Sequence, residues 1–203
     1  MKLDVIRARE AAQGAAIGAA GAVLFLFAFP AGSITTLMHA VLGLPGPGAG
    51  IGLVLGPFLI LVALTSARLS RKDGSALLAS LAFAATYTLV VRLLGIATNP
   101  KGQFGSAVFI ATIALFGTAA EAGLVFGKGL KEARRYMLSG ALANGVLLVS
   151  YWVVVFPRTA GWVHGRDVPL LMGLCLVAGL ASGYIVWELS RPLARALACI
   201  ERE

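Results

Sequence analysis

Six apolar runs, each close to the length of a membrane-crossing helix, dominate this chain of 203 residues. They cover residues 11–29, 51–67, 75–94, 106–126, 137–156 and 168–189. A helix needs about 20 apolar residues to cross the roughly 30 Å of hydrocarbon in a bilayer. With 59% hydrophobic and 13% charged residues, the chain has too few polar side chains to cover a soluble globule of this size. The sequence therefore predicts an all-α integral membrane protein, with a single six-helix transmembrane domain over 1–203.

The basic residues are distributed unevenly between the two sides of the predicted membrane. If the six spans thread back and forth, 13 of the 17 Lys and Arg residues lie on the side that holds both termini. These are Lys2, Arg7, Arg9, Arg68, Arg71, Lys72, Lys128, Lys131, Arg134, Arg135, Arg191, Arg195 and Arg202. The connections on the other side carry only Lys101, Arg158 and Arg166. Because cytoplasmic loops are enriched in Lys and Arg, we expect a multi-pass protein of the cell (inner) membrane with both termini in the cytoplasm.

The net charge of +8 does not indicate binding to nucleic acid. The charges flank the ends of the apolar runs, and they do not form a basic stripe interleaved with aromatic residues. Anionic headgroups of the lipid bilayer are the partners that such flanking charges suit. We therefore expect the bilayer, and no nucleic acid, among the partners.

The first span carries small residues along nearly its whole N-terminal half. Alanine recurs every four residues at Ala12, Ala16 and Ala20, and several glycines lie beside this row. Small residues let helix backbones approach closely in a membrane. We interpret glycine pairs in other spans, such as Gly52 and Gly56, as contacts between helices of the same bundle. The small residues of the first span could serve the same internal packing. Because small residues fill more of the first span than one internal neighbour requires, we interpret its alanine face as a surface for a partner protein.

The connection after the first span is apolar but is interrupted by glycine and proline. Residues 34–44 are too few to cross a membrane, so they predict a short interfacial or re-entrant helix. Gly46, Gly48 and Gly50 follow in a tight glycine loop. Irregular backbone is tolerated at membrane depth only against protein or around a wet cavity. A lid over a pocket and a plain extracellular loop are the two interpretations, and we favour the lid.

Polar and aromatic side chains are predicted on the same side of the membrane as this loop. The candidate substrate-binding residues are His39, Tyr87, Arg92, Asn144, Tyr151 and Trp152. An ionisable residue within a span is a functional candidate, so Arg92 is a candidate contact for a carboxylate or phosphate. The alternatives stay open, because an arginine near the end of a span can extend to the interface and interfacial belts also use Tyr and Trp.

Glu121 is predicted to lie within the fourth span among apolar neighbours. An acidic residue near the middle of a membrane helix costs about 2–3 kcal/mol unless it is paired or protonated. Glu121 is therefore either a proton-coupling site or a structural partner for Asn144, for a base at the cytoplasmic end or for another subunit. We favour the structural role.

Motifs for covalent chemistry are absent from the sequence. There is no His-Glu-x-x-His, no Gly-x-Ser-x-Gly and no Walker motif. His39 and His164 have no second histidine or cysteine three or four residues away, so neither predicts a metal site. We expect a protein that is not an enzyme, with no catalytic residues, no cofactor and no metal.

Six spans in 203 residues, the repeat of Ala12, Ala16 and Ala20 and the glycine/proline loop after them resemble a substrate-binding S component of an energy-coupling factor (ECF) vitamin transporter. The resemblance implies that the alanine face docks on a transmembrane coupling subunit, which two ATPase subunits drive. It also implies that external loops cover a vitamin-like small molecule held in the outer half. Capture would then use residues near His39, Tyr87, Arg92, Asn144 and Trp152.

The match to this family leaves the substrate open. The chain begins Met1-Lys2-Leu3 and lacks the N-terminal Met-His of the cobalt and nickel members, so direct metal uptake is not expected. No loop pattern matches the riboflavin, biotin or thiamin members. Alternatives from another class are a stand-alone small oligomeric channel or exporter, and a membrane scaffold that transports nothing.

Overall fold

A computed structural model of the chain describes residues 2–29, 36–44, 48–70, 72–95, 106–155, 165 and 167–200. For residues 2–10, 36, 39, 155 and 193–200 it describes the backbone only. Within these ranges all regular structure is helical, and no strand occurs. Gly46 of the predicted lid lies outside the described residues.

Six α-helices form the body of the protein over the described ranges. They are α1 Lys2–Ala28, α2 Gly56–Ser70, α3 Ser75–Leu93, α4 Ala107–Phe126, α5 Glu132–Ser150 and α6 Val168–Ile200. Three shorter segments are π-helices, namely π1 Thr36–Val41, π2 Ile51–Leu55 and π3 Tyr151–Val155. The π2 segment runs directly into α2, and π3 continues α5.

In the part of the chain that the structure describes, six helical segments are long and apolar enough to cross a membrane, which agrees with the predicted number of spans. They are Ala11–Ala28, Ile51–Ser70, Ser75–Leu93, Ala107–Gly129, Glu132–Val154 and Val168–Pro192. The largest difference from the prediction is the start of the fifth span, which lies at Glu132 and not at residue 137. Glu132 lies in the first turn of α5, where a helix dipole favours an acidic residue although an apolar pattern does not reveal it. The π1 segment lies within 34–44, where a short helix was predicted.

Glycines on one face of α1 bring this helix into close contact with its neighbours. A Cβ on Gly18 would overlap the backbone carbonyl of Ala79 in α3. A Cβ on Gly21 would lie 2.6 Å from Cγ2 of Val62 in α2. The glycine face of α1 is therefore the internal face, which packs against α2 and α3.

Glycines also set the distance between α5 and α6. Gly140 lies against the backbone of Gly179, and Gly183 lies against the backbone of Tyr136. Such small residues allow helix backbones to come within van der Waals contact. The interpretation of the glycine pairs outside the first span as internal packing is confirmed at these positions.

Charged side chains join three helices at the end of the bundle that carries the α2–α3 and α4–α5 connections, here called the terminal end. Arg68 of α2 forms an ion pair with Glu132 of α5. The Trp187 Nε1–H of α6 donates to Oε2 of Glu132 at 3.3 Å. The guanidinium of Arg68 also lies over the ring of Tyr136, 5.5 Å from its centroid. Glu132 thereby ties α2, α5 and α6 together.

Glu121 makes a further connection at the terminal end. The backbone N–H of Ala76, in the first turn of α3, donates to Oε1 of Glu121 at 2.6 Å. A carboxylate is favourable there because the first N–H groups of a helix lack partners and carry the positive end of the helix dipole. This contact supports the structural role for Glu121. Its partner is the start of α3, whereas the sequence suggested Asn144, a base or another subunit.

Candidate functional site

The three π-helices of the described chain meet at the end of the bundle opposite the terminal end, here called the opposite end. Their side chains pack in one apolar group, which we call the π cluster. It consists of Met38, Leu44, Ala49, Leu53, Val54, Trp152 and Leu171. A π-helix carries an extra residue in the turn, and such segments occur frequently at functional sites. The π cluster is therefore the first candidate for a site.

Gly48 presses directly on the π cluster. Its φ is +119°, a conformation that residues with a side chain rarely adopt. A Cβ at this position would lie 2.9 Å from both Cδ1 of Leu148 and Nε1 of Trp152. Gly50 differs, because its φ of −63° is helical and suits any residue. Gly48 of the predicted lid thus lies directly against Leu148 and Trp152.

Asn144 lies two helical turns below Trp152 on α5 and is fully buried. Its Nδ2 donates to the carbonyl of Gly52 in π2 at 2.8 Å. The same atom donates to the carbonyl of Cys175 in α6 at 2.7 Å. Its Oδ1 is buried without a hydrogen-bond partner and faces Gly56, where a Cβ would overlap it. Asn144 thus connects α5 to π2 and α6 beneath the π cluster.

Tyr151, Trp152 and His39 lie on segments that come together at this end. Tyr151 and Trp152 begin π3, and both are half-buried. His39 lies in π1, of which Met38 packs into the π cluster. The structure describes the backbone of His39 and not its side chain. Three of the predicted site residues are therefore carried by the π-helices that form the candidate site.

Tyr87 belongs to a separate group of aromatic side chains, here called the aromatic cluster. This cluster consists of Phe25, Phe29, Phe58, Phe83, Tyr87 and Phe109. The ring of Tyr87 stacks on Phe83 with centroids 6.1 Å apart, and it tilts against Phe109 at 5.3 Å. Val54 of π2 packs against the π cluster and also against the main hydrophobic core, which includes Phe25, Phe83 and Tyr87. Tyr87 is therefore part of the main core, which adjoins the π cluster at Val54.

Arg92 lies in the last turn of α3, and its side chain is exposed. Its neighbours Leu89 and Leu93 are also exposed. The described side chains of the π cluster do not include residues of α3. The structure thus places Arg92 at the same end of the bundle as Trp152 but on the outer surface.

The alanine row of α1 lies on the outside of the bundle. Ala12, Ala16 and Ala20 are exposed, whereas Gly14 and Gly18 beside them are buried against α2 and α3. The span Ala11–Ala28 is the least buried of the six. The helix therefore has two different small-residue faces, one internal and one that no other described residue covers.

The described residues contain no group of three or more His, Cys, Asp or Glu side chains that could hold a metal ion. The candidate site is instead built from apolar and aromatic side chains, one buried amide and backbone carbonyls. Apolar and aromatic side chains with a few polar groups are the residue types that commonly line sites for small molecules.

Comparison with known proteins identifies the architecture. No protein-family model and no curated protein matches the chain. A crystal structure of an S-component of an ECF transporter superimposes on it with a TM-score of 0.65 and 21% sequence identity, over 95% of this chain and 86% of that one. The chain has the S-component fold. The resemblance seen in the sequence is thus confirmed for the fold along nearly the whole chain.

Sequence reasoning missed the residues that shape the π cluster of this S-component fold. Met38, Ala49 and Leu171 are the fully or nearly fully buried members, and none was a candidate. Nor did the pattern reveal that Gly52 and Cys175 are the partners of Asn144. One signal was available, because Pro57 near the start of a predicted span indicates a break in the regular hydrogen bonds of its helix.

Proposed function

We propose that this protein is the membrane-embedded substrate-binding subunit of an ECF transporter and serves the uptake of a vitamin or related micronutrient. The observation that carries the proposal is the S-component fold, which extends over 95% of the chain. The protein performs no covalent chemistry and needs no cofactor. It binds its substrate and presents it to an ATP-driven coupling module.

The distribution of basic residues supports an orientation in the cell membrane. Lys128, Lys131 and Arg134 at the terminal end are exposed. Since cytoplasmic connections carry the excess of Lys and Arg, the terminal end faces the cytoplasm in this proposal. The π cluster then faces outward, where a substrate arrives.

The alanine face of α1 supports docking on a transmembrane coupling subunit with two ATPase subunits. Ala12, Ala16 and Ala20 are exposed and form a smooth strip on which another helix can pack closely. The internal glycine face already satisfies the contacts of α1 with α2 and α3. The exposed strip is therefore available to a partner without loss of packing inside the bundle.

The substrate site in this proposal lies at the π cluster. Tyr151, Trp152 and His39 contribute from π3 and π1, and Tyr87 adjoins from the aromatic cluster. The glycine loop with Gly46, Gly48 and Gly50 forms the lid, which the contact of Gly48 with Trp152 supports. Arg92, which is exposed at the same end of the bundle, is proposed to contact an anionic group of the substrate. Asn144 supports the site from beneath through its bonds to π2 and α6.

Copurification with the coupling module tests the proposal. We expect the tagged wild-type chain to bring down a transmembrane subunit and ATPase subunits from its own membranes. Ala16→Leu places a bulky side chain on the alanine face and should abolish this association. Ala181→Leu is the matched control, because Ala181 is also exposed but lies on α6. Equal association of both variants would contradict the docking surface, and absence of ATPase subunits from the wild-type sample would favour a stand-alone channel, exporter or scaffold.

A further inference from the structure

Pro57 interrupts the backbone hydrogen bonds where π2 joins α2. The Gly56 N–H donates to the carbonyl of Ile51, five residues earlier, which is the π-helical pattern. The next bond of this pattern would run from residue 57 to the carbonyl of Gly52, but proline has no N–H. The Gly52 carbonyl therefore lacks the donor that its own helix would have supplied.

Asn144 supplies a donor to this carbonyl from another helix. Its Nδ2 lies 2.8 Å from the oxygen of Gly52 and 2.7 Å from the oxygen of Cys175. The side chain is fully buried, so water does not compete for these bonds. One amide group thus holds π2 against both α5 and α6.

The packing around Asn144 shows that the fit is close. A Cβ on Gly52 would overlap Sγ of Cys175, and a Cβ on Gly56 would overlap Oδ1 of Asn144. That Oδ1 has no hydrogen-bond partner, although burial of an unpaired acceptor is unfavourable. The favourable contribution of the Asn144 amide therefore comes from the two hydrogen bonds that Nδ2 donates.

We propose that Asn144 is a positioning residue, which replaces the hydrogen-bond donor lost at Pro57 and holds residues 48–55 against α5 and α6. Gly48 begins this segment and contacts Trp152, so the Asn144 bonds set where the lid meets the π cluster. Asn144 acts on the segment from beneath and does not itself contact the substrate. The effect of Asn144 on substrate capture rests on the function proposed above. Its effect on the position of residues 48–55 does not depend on that function.

Cys175 provides a readout that needs no substrate. It is fully buried, and its Sγ lies directly against Gly52. Full-length protein with Cys199→Ser, in lipid nanodiscs, is labelled with N-ethylmaleimide, and the labelling rate of Cys175 is followed by intact mass. Because release of residues 48–55 uncovers the thiol, we expect Asn144→Leu to raise this rate about tenfold.

Pro57→Ala is the decisive second substitution, because it returns a backbone N–H beside the Gly52 carbonyl. In the double variant Asn144→Leu/Pro57→Ala, the labelling rate should fall to within about threefold of the parent. An unchanged rate in Asn144→Leu, or a double variant that reacts as fast as Asn144→Leu, would overturn the positioning role. Asn144→Ala also removes the amide donor, and it replaces Asn144→Leu if the latter does not fold.

Small-molecule retention separates this inference from the proposed function. A copurified molecule that is held by the parent and lost from Asn144→Leu supports the role of Asn144 in capture. Its equal retention in Asn144→Leu, with fast labelling of Cys175, would overturn that role while the transporter function stands. Absence of any such molecule from the parent would count against the transporter function, and the labelling rates would still decide the positioning role.

Discussion

The two ends of the bundle are held together by different forces. At the terminal end, Glu132 pairs with Arg68 and accepts from Trp187, and Glu121 accepts from the start of α3. At the opposite end, apolar contacts of the π cluster and the two bonds of Asn144 connect π2 to its neighbours. Hydrogen bonds to charged groups are directional and require specific partners, whereas one apolar contact can be exchanged for another.

This difference indicates which end can open. Ion pairs and charged hydrogen bonds fix specific partners, so they hold the helices of the terminal end in one arrangement. Apolar contacts are not directional, and segments with irregular hydrogen bonding are the ones that rearrange at low cost. The opposite end is thus suited to admit and release a substrate, whereas the terminal end is suited to stay intact.

The largest effect is expected from Gly48→Val at the opposite end. A branched side chain at φ +119° is strained, and its Cβ would collide with Trp152, so the free energy of unfolding should fall by about 3 kcal/mol. The lid would also be held away from the π cluster, and binding of the copurified small molecule should be lost. Equilibrium unfolding and mass spectrometry of released molecules measure these two effects.

Gly50→Val is the matched control for that substitution. Gly50 has a helical φ of −63°, so its backbone can accept a side chain without strain. Ligand retention by Gly50→Val with its loss from Gly48→Val would support the lid contact. If both variants bind as the parent does, the glycine loop is only a connector.

The second-largest effect is expected from Glu121→Ala at the terminal end. The variant removes a hydrogen bond of 2.6 Å between a carboxylate and the first turn of α3, and should lower the free energy of unfolding by about 2 kcal/mol. Glu121→Gln keeps an acceptor oxygen and should cost less. Flux measurements on the protein reconstituted into vesicles test the opposite hypothesis. If the parent shows pH-driven flux and Glu121→Gln abolishes it, the protein is an exporter with proton coupling at Glu121.

The smallest effect is expected from Glu132→Gln. Glu132 is half exposed, so solvent screens its pair with Arg68, and the loss of unfolding free energy should be below about 1 kcal/mol. High salt should reduce the difference between variant and parent. Asp73→Asn is the control, because its pair with Lys128 is more exposed and its loss should change stability little. A cost above that of Glu121→Ala would contradict this ranking of contacts.

The number and positions of the spans could be predicted because they depend on local properties. A run of apolar residues of the right length must cross a bilayer as a helix, since every backbone polar group needs a partner there. Six such runs predicted six spans, and the structure confirms them. The short helix after the first span also follows from a local feature, because the apolar run 34–44 has too few residues to cross a membrane.

The candidate site could be predicted only in part, because its contacts join residues far apart in sequence. Asn144 was a candidate, yet its partners Gly52 and Cys175 are 92 and 31 residues away. No local pattern specifies such pairs. The two faces of α1 show the same limit: the spacing of small residues predicted close packing, but only the structure separates the internal glycines from the exposed Ala12, Ala16 and Ala20.

Mass spectrometry of small molecules released from the gently purified protein tests the central claim most directly. The account predicts one vitamin-like compound in stoichiometric amount in the parent and in Ala16→Leu, whose substitution lies on the docking face of α1. It predicts that Gly48→Val releases none, because that substitution holds the lid away from Trp152. A parent preparation that releases no such compound, or equal amounts from the parent and from Gly48→Val, would contradict a substrate site at the π cluster.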